Sequence, residues 1–146
     1  MKTQMNAKMK TMSVLLSTPF FFLTAQAQVA VPQKVKDAFV KAHPTVLNVK
    51  WEKENGNFES NWKENGQDHA ELYAADGKFI QSEADIEVEK LQDGVKSYMR
   101  ENVHKNIKEA SENRDAAGVW TYEADVKGVD YIFDHEGKFI KTAKAD

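Results

Sequence analysis

The segment Gly77-Lys78-Phe79-Ile80 returns intact as Gly137-Lys138-Phe139-Ile140, sixty residues later. Each copy follows an acidic turn, Ala75-Asp76 or His135-Glu136. Each is also preceded by a short apolar-aromatic run, Leu72-Tyr73-Ala74 or Tyr131-Ile132-Phe133. A turn and its flanking strands recurring at a fixed distance constrain the chain to build one small unit twice. The surroundings keep the period. Val31, Val35 and Phe39 fall opposite Leu91, Val95 and Met99 at sixty. Gly56, Phe58, Gly66 and Asp68 answer Gly118, Trp120, Gly128 and Asp130 at sixty-two, a slip that a changed turn accommodates.

The first unit opens with Val31-Pro32, since Pro suits the first helical position. Val31, Val35, Ala38, Phe39 and Ala42 recur at helical spacing, and Pro44 ends the helix after His43. The period then changes to two. Leu47, Val49 and Trp51 alternate with polar residues, and Phe58, Ser60 and Trp62 follow the Asn55-Gly56 turn. Asn65-Gly66 is a second hairpin turn, because both residues accept positive φ. Ala70, Leu72 and Ala74 then share one face, with Glu71 and Tyr73 on the other, before Phe79-Ile80 closes the unit.

Ser82 to Glu89 reads as a polar linker. The second helix carries the stripe Val88, Leu91, Val95, Tyr98, Met99 and Val103, weakened at Gly94 by about 1 kcal/mol relative to Ala. Its strands are clear only from Trp120. Ile107 stands alone as an apolar residue before a loop expected over Ser111 to Ala117. The expected fold class is α+β. It has two tandem helix-plus-four-strand antiparallel meander units, residues 31–83 and 88–142, with helices packed on one face of the sheet.

Residues 1–27 read as a signal peptide rather than part of the fold. Lys2, Lys8 and Lys10 precede the apolar run Met12 to Leu23, and Ala25-Gln26-Ala27 supplies the small residues of a cleavage site. The run is too short for a membrane span, which needs roughly twenty residues. A periplasmic or secreted protein beginning near Gln28 is expected, with no membrane span after cleavage.

The net charge is −3, and the leader holds three Lys and no acid, so residues 28–146 carry −6. An acidic chain without a basic block is a poor nucleic-acid binder. The absence of Cys excludes disulfides, thiolate metal sites and thiol catalysis. His43, His69, His104 and His135 form no local ligand pair. Asp76 with Glu83 and Asp85, or Asp134 with Glu136, supply too few oxygens for a calcium loop. Ser60, Ser82, Ser97 and Ser111 sit in no nucleophile elbow. No catalytic, cofactor or metal residue is assigned. Tyr73 and Glu71 are the candidate partner-binding residues, if their face of the sheet is exposed. A strand buried on both sides is the alternative.

Two helix-plus-meander units, each ending in an acidic residue and Gly-Lys-Phe-Ile after a leader without Cys, resemble a known family. It is the β-lactamase-inhibitor-like, PepSY-like family of Bacteroidetes envelope proteins. The likeness runs from Val31 to Thr142. It is carried by Tyr73-Ala74-Ala75-Asp76-Gly77-Lys78 and Phe133-Asp134-His135-Glu136-Gly137-Lys138. Asp76, Gly77, Lys78, Glu136, Gly137 and Lys138 are read as structural turn residues. Gln92 stands where Pro32 opens the first helix. The resemblance implies a non-enzymatic, extracytoplasmic binding module whose partner is an unidentified envelope protein or peptide, with inhibition or regulation of a peptidase as one form. The other reading is a ligand- or metal-binding envelope stress protein.

Overall fold

The structure, a computed structural model, describes residues 29–144; the leader and its cleavage site lie outside the described residues. Helix α1 (Gln33–Ala42) is followed by strands β1 (Lys50–Glu54), β2 (Asn57–Glu64), β3 (Gln67–Tyr73) and β4 (Phe79–Asp85). A 3₁₀ turn, helix α2 (Asp93–Tyr98) and a π-helical turn (Met99–Val103) lead to β5 (Glu109–Asp115), β6 (Trp120–Asp125), β7 (Val129–Asp134) and β8 (Phe139–Lys144). All eight strands form one antiparallel sheet in chain order.

This corrects the expected fold class. The chain does not build two helix-plus-four-strand units. It builds a single, mostly-sheet structure with two short helices. Two misread segments account for the difference. β4 is a full strand whose Ser82–Asp85 stretch was expected to be linker, and β5 occupies most of the expected Ser111–Ala117 loop. The two pair with each other, Glu83 opposite Asn113 and Asp85 opposite Ser111, and so weld the halves into one sheet. Past Ile80, β4 offers only Ala84 and β5 only Ala110 as apolar residues, so their alternation was invisible to a hydrophobic-pattern reading.

The hairpins follow local chemistry more closely. Asn55-Gly56 and Asn65-Gly66 both take positive φ, as two-residue turns between twisted strands require. Lys127-Gly128 makes the same geometry with Lys127 at φ 57°. The second helix is broken rather than continuous, and His104 ends it in the left-handed conformation.

The buried apolar residues form two clusters. One joins Val35 and Phe39 of α1 to Phe58, Trp62 and Tyr73; the other joins Leu91, Val95 and Met99 to Ala110, Ala124, Val126 and Phe133. Phe39 is 1 % exposed, and burying a side chain of that size contributes about 2–3 kcal/mol. Its ring meets Trp51 and Trp62 edge-on, at 5.5 and 5.2 Å.

The repeated Gly-Lys-Phe-Ile turns lie against the helical segments. A Cβ on Gly77 (φ 88°) would stand 2.7 Å from the carbonyl oxygen of Lys34. A Cβ on Gly137 (φ 81°) would stand 3.1 Å from Gln92 Cβ and from Val95 N. Both positions therefore need glycine twice over, for conformation and for space. Gly94 is the reciprocal contact, 2.9 Å from the Gly137 carbonyl once given a Cβ, so its cost in helix propensity secures a close approach.

Candidate functional site: a carboxylate face on the sheet

Successive side chains of a strand point to opposite faces, and residues paired across a ladder share one. The register therefore assigns Phe58, Trp62, Tyr73, Ala110, Ala124 and Phe133 to the face carrying both apolar clusters. The opposite face is polar. One row across it runs Asn61, Ala70, Glu83, Asn113, Thr121; another runs Asp85, Ser111, Glu123, Ile132, Lys141. Glu59 lies beside Glu52 on the neighbouring edge strand.

Several carboxyls on this face are held more tightly protonated than free side chains. Glu83 is pushed up to about 8 by burial and by the charges of Glu123, Asp85 and Asp130, against a hydrogen bond with Ser111. Glu123 rises to about 7 through burial and the charge of Asp130, with Lys141 opposing. Burial also raises Asp85, aided by Asp68 and Glu109 and offset by His69 and Lys63. Glu59 is raised by burial and by Glu54 and Glu52, with an Asn61 hydrogen bond working the other way. All four carboxyls are shifted upward with burial as the first cause, so they hold their protons more tightly than free side chains, and a cation placed against them would favour the ionised form. Toward the β1 end the face opens into a cavity of about 840 Å³ whose lining includes the acids Glu52, Glu59, Glu83 and Asp85, the bases Lys50 and Lys63, and Leu47, which is 89 % exposed.

Tyr73 and Glu71 sit on the other face and are 2 % and 9 % exposed. The strand's inward parity is thus the reverse of that expected from Ala70, Leu72 and Ala74. The exposed placement that suggested partner binding at Tyr73 and Glu71 does not hold. The Tyr73 hydroxyl donates to Glu71 Oε2, and the His43 imidazole reaches the same oxygen at 2.9 Å. Ser60 Oγ donates to the Glu71 carbonyl. Tyr73 is held protonated, its phenol raised well above the usual range by burial and by Glu71. The cluster joins the end of α1 to β3, and a carboxylate with two side-chain partners is a structural element here.

Each turn residue is placed by a specific contact. Asp76 Oδ1 accepts the Lys78 N–H, and the Lys78 ammonium lies 3.2 Å from Asp76 Oδ2. In the second turn Asp134 takes this part, accepting the N–H groups of both Glu136 and Lys138. Glu136 is exposed and 4.0 Å from His135. Two of the histidines share one neighbour. His43 and His69 both lie against Trp62, at ring distances of 4.7 and 5.3 Å, whereas His135 occupies a turn. Among the described residues, no group of three or more His, Asp or Glu side chains converges to hold a metal ion. No described helix is long and apolar enough to cross a membrane.

Sequence reasoning missed Glu83, Asp85 and Glu123 as a group because it read β4 beyond Ile80 as linker. The available signal was Gln81, Glu83 and Asp85 alternating at period two directly after Phe79-Ile80.

No protein-family profile matches the chain, and no curated protein does. Solved structures share its fold. A protein of Bacteroides eggerthii described as periplasmic superposes with a TM-score of 0.66 at 13% identity, covering 78% of this chain and 88% of its own. A DUF2874 family protein of Bacteroides uniformis gives 0.67 at 15% identity, covering 77% and 88%. A BLIP-like protein of Bacteroides fragilis gives 0.64 at 14% identity, covering 81% and 89%. At these identities the likeness is one of fold.

Proposed function

We propose that this chain is a non-enzymatic binding module of the bacterial envelope that holds a basic segment of a partner protein against the carboxylate face of its sheet. The observation that carries this reading is the placement of Glu59, Glu83, Asp85 and Glu123 on one face by the strand register, with the first three lining one cavity. Lys or Arg side chains set against these groups would relieve their mutual repulsion and give charge-assisted hydrogen bonds. The cavity at the β1 end, with Leu47 at its rim, supplies a recess for one such side chain and apolar contact beside it.

The basic, apolar and small-residue regions of the first 27 residues support export, and the fold it shares with a protein described as periplasmic agrees with that location. The fold shared with a BLIP-like protein favours binding over catalysis. The sixty-residue period reads as a duplication in the PepSY-like manner. Restraint of a peptidase or another envelope enzyme is the form of binding this favours.

The test is parallel affinity capture from an envelope extract. One bait is the natural chain and the other carries Glu59→Gln, Glu83→Gln, Asp85→Asn and Glu123→Gln. A protein retained by the first, released by salt and absent from the second supports the reading. Identical captures, or hydrolysis of an envelope substrate by the pure chain, contradict it.

A further inference from the structure

A second cavity lies on the opposite face of the sheet. There β5 and β6 form a cavity of about 600 Å³ lined by Glu112, Gly118, Val119, Trp120, Tyr122 and His135. Trp120 is 42 % exposed and Val119 55 %, although the other aromatics of this face turn into the two cores. The indole and the Val119 side chain therefore stand open to solvent beside the cavity.

The register fixes what surrounds it. Trp120 stands opposite Arg114, and Tyr122 opposite Glu112. Trp120 and Tyr122 are two residues apart on one strand, roughly 7 Å along it, and both line the cavity. The Arg114 guanidinium lies over the Trp120 ring, 5.6 Å from its centroid, which occupies one face of the indole and leaves the other for a ligand. The Gln92 amide donates to the Tyr122 hydroxyl at 3.3 Å, fixing that polar group at the cavity's edge.

Charge and polarity then narrow the occupant. Glu112 and Arg114 offset each other, so neither a polyanion nor a polycation is favoured. A wholly apolar ligand would strip water from the Glu112 carboxylate without replacing its hydrogen bonds, which is costly. A ligand with a flat C–H face and a hydroxyl-bearing edge satisfies both demands. The face stacks on the ring, and the edge donates to Glu112 and exchanges hydrogen bonds with the Tyr122 hydroxyl and the His135 imidazole. The volume falls within the range of small-ligand sites.

We infer that this pocket binds an uncharged pyranose ring of a neutral oligosaccharide, stacked on the face of Trp120 opposite Arg114. The site is separate from the carboxylate face and does not depend on it.

The experiment is a glycan array of neutral and acidic oligosaccharides, probed with the natural chain and with Trp120→Ala and Glu112→Gln. Titration of the Trp120 indole N–H signal by NMR against the best neutral glycan follows. Binding to neutral glycans with Kd of about 1 mM or tighter is expected. It should be insensitive to salt, weakened at least about tenfold by Trp120→Ala and several-fold by Glu112→Gln. Both variants should keep the thermal midpoint of the natural chain to within about 2 °C, because surface substitutions have small effects. Binding to no glycan, binding only to acidic glycans, or undiminished binding by the folded Trp120→Ala variant would overturn the assignment.

Discussion

The imidazole of His43 meets the carboxylate of Glu71 at 2.9 Å, so the residue that ends α1 is tied to the middle of the sheet. The same oxygen accepts the Tyr73 hydroxyl, and the whole arrangement lies beneath the ring of Phe39 and beside Trp62. Removing either partner of such a buried contact leaves a polar group without its bond. Tyr73→Phe is expected to cost about 1–2 kcal/mol and Glu71→Ala about 2–3 kcal/mol. Urea unfolding of the two variants checks this, and a Glu71→Ala loss below that of Tyr73→Phe would show the carboxylate to be dispensable.

Gly94 reverses an ordinary rule. In a free helix, Ala for Gly is favourable by about 1 kcal/mol. Here the added Cβ would stand 2.9 Å from the Gly137 carbonyl oxygen. Gly94→Ala is therefore expected to destabilise, and Gly77→Ala more so, by about 2 kcal/mol or more, because strain at φ 88° adds to the clash with Lys34. Gly66→Ala, with nothing within 4 Å, meets only the conformational penalty. Thermal midpoints in the order natural chain, Gly66→Ala, Gly77→Ala are the expected outcome.

Stability should fall as pH rises. Glu83 and Glu123 have folded-state values of about 8 and about 7, against 4.5 for the free side chain. Between those limits the folded state keeps protons that the unfolded chain has released. The unfolded state thus binds fewer protons, and the stability slope is negative. The contribution is fully present below pH 4.5 and is lost as pH passes through about 8. Both groups are half-buried, so solvent screening reduces its size. Melting across this window is expected to show a steady decline, flattened by the combined Glu83→Gln and Glu123→Gln substitutions. A midpoint that rises with pH would contradict the assignment.

The sequence made the hairpins legible because their signals are local. Asn-Gly pairs fix turns, and Phe58, Ser60 and Trp62 alternate beside them. α1 was equally readable from Val35 and Phe39. What joined the halves was not readable. β4 past Ile80 and β5 are polar strands, held by their ladder and by neighbours on both sides rather than by an apolar face. Their polarity is also the candidate site, so the same residues hid the sheet and its function. The inward side of β3 was misjudged for a related reason. Small Ala70 and Ala74 suggested a core face, whereas the buried side holds the larger Tyr73 and a carboxylate that only tertiary partners make tolerable.

The most direct measurement of the central claim is calorimetric titration of the folded chain with an extended, lysine-rich peptide at two salt concentrations. The natural chain should bind with an affinity that weakens as salt rises, since exposed charge pairs are screened. The variant carrying Glu59→Gln, Glu83→Gln, Asp85→Asn and Glu123→Gln should lose at least about tenfold, or 1.4 kcal/mol. Equal affinity in the two proteins, or no binding by either, would contradict a carboxylate face built to hold a basic partner.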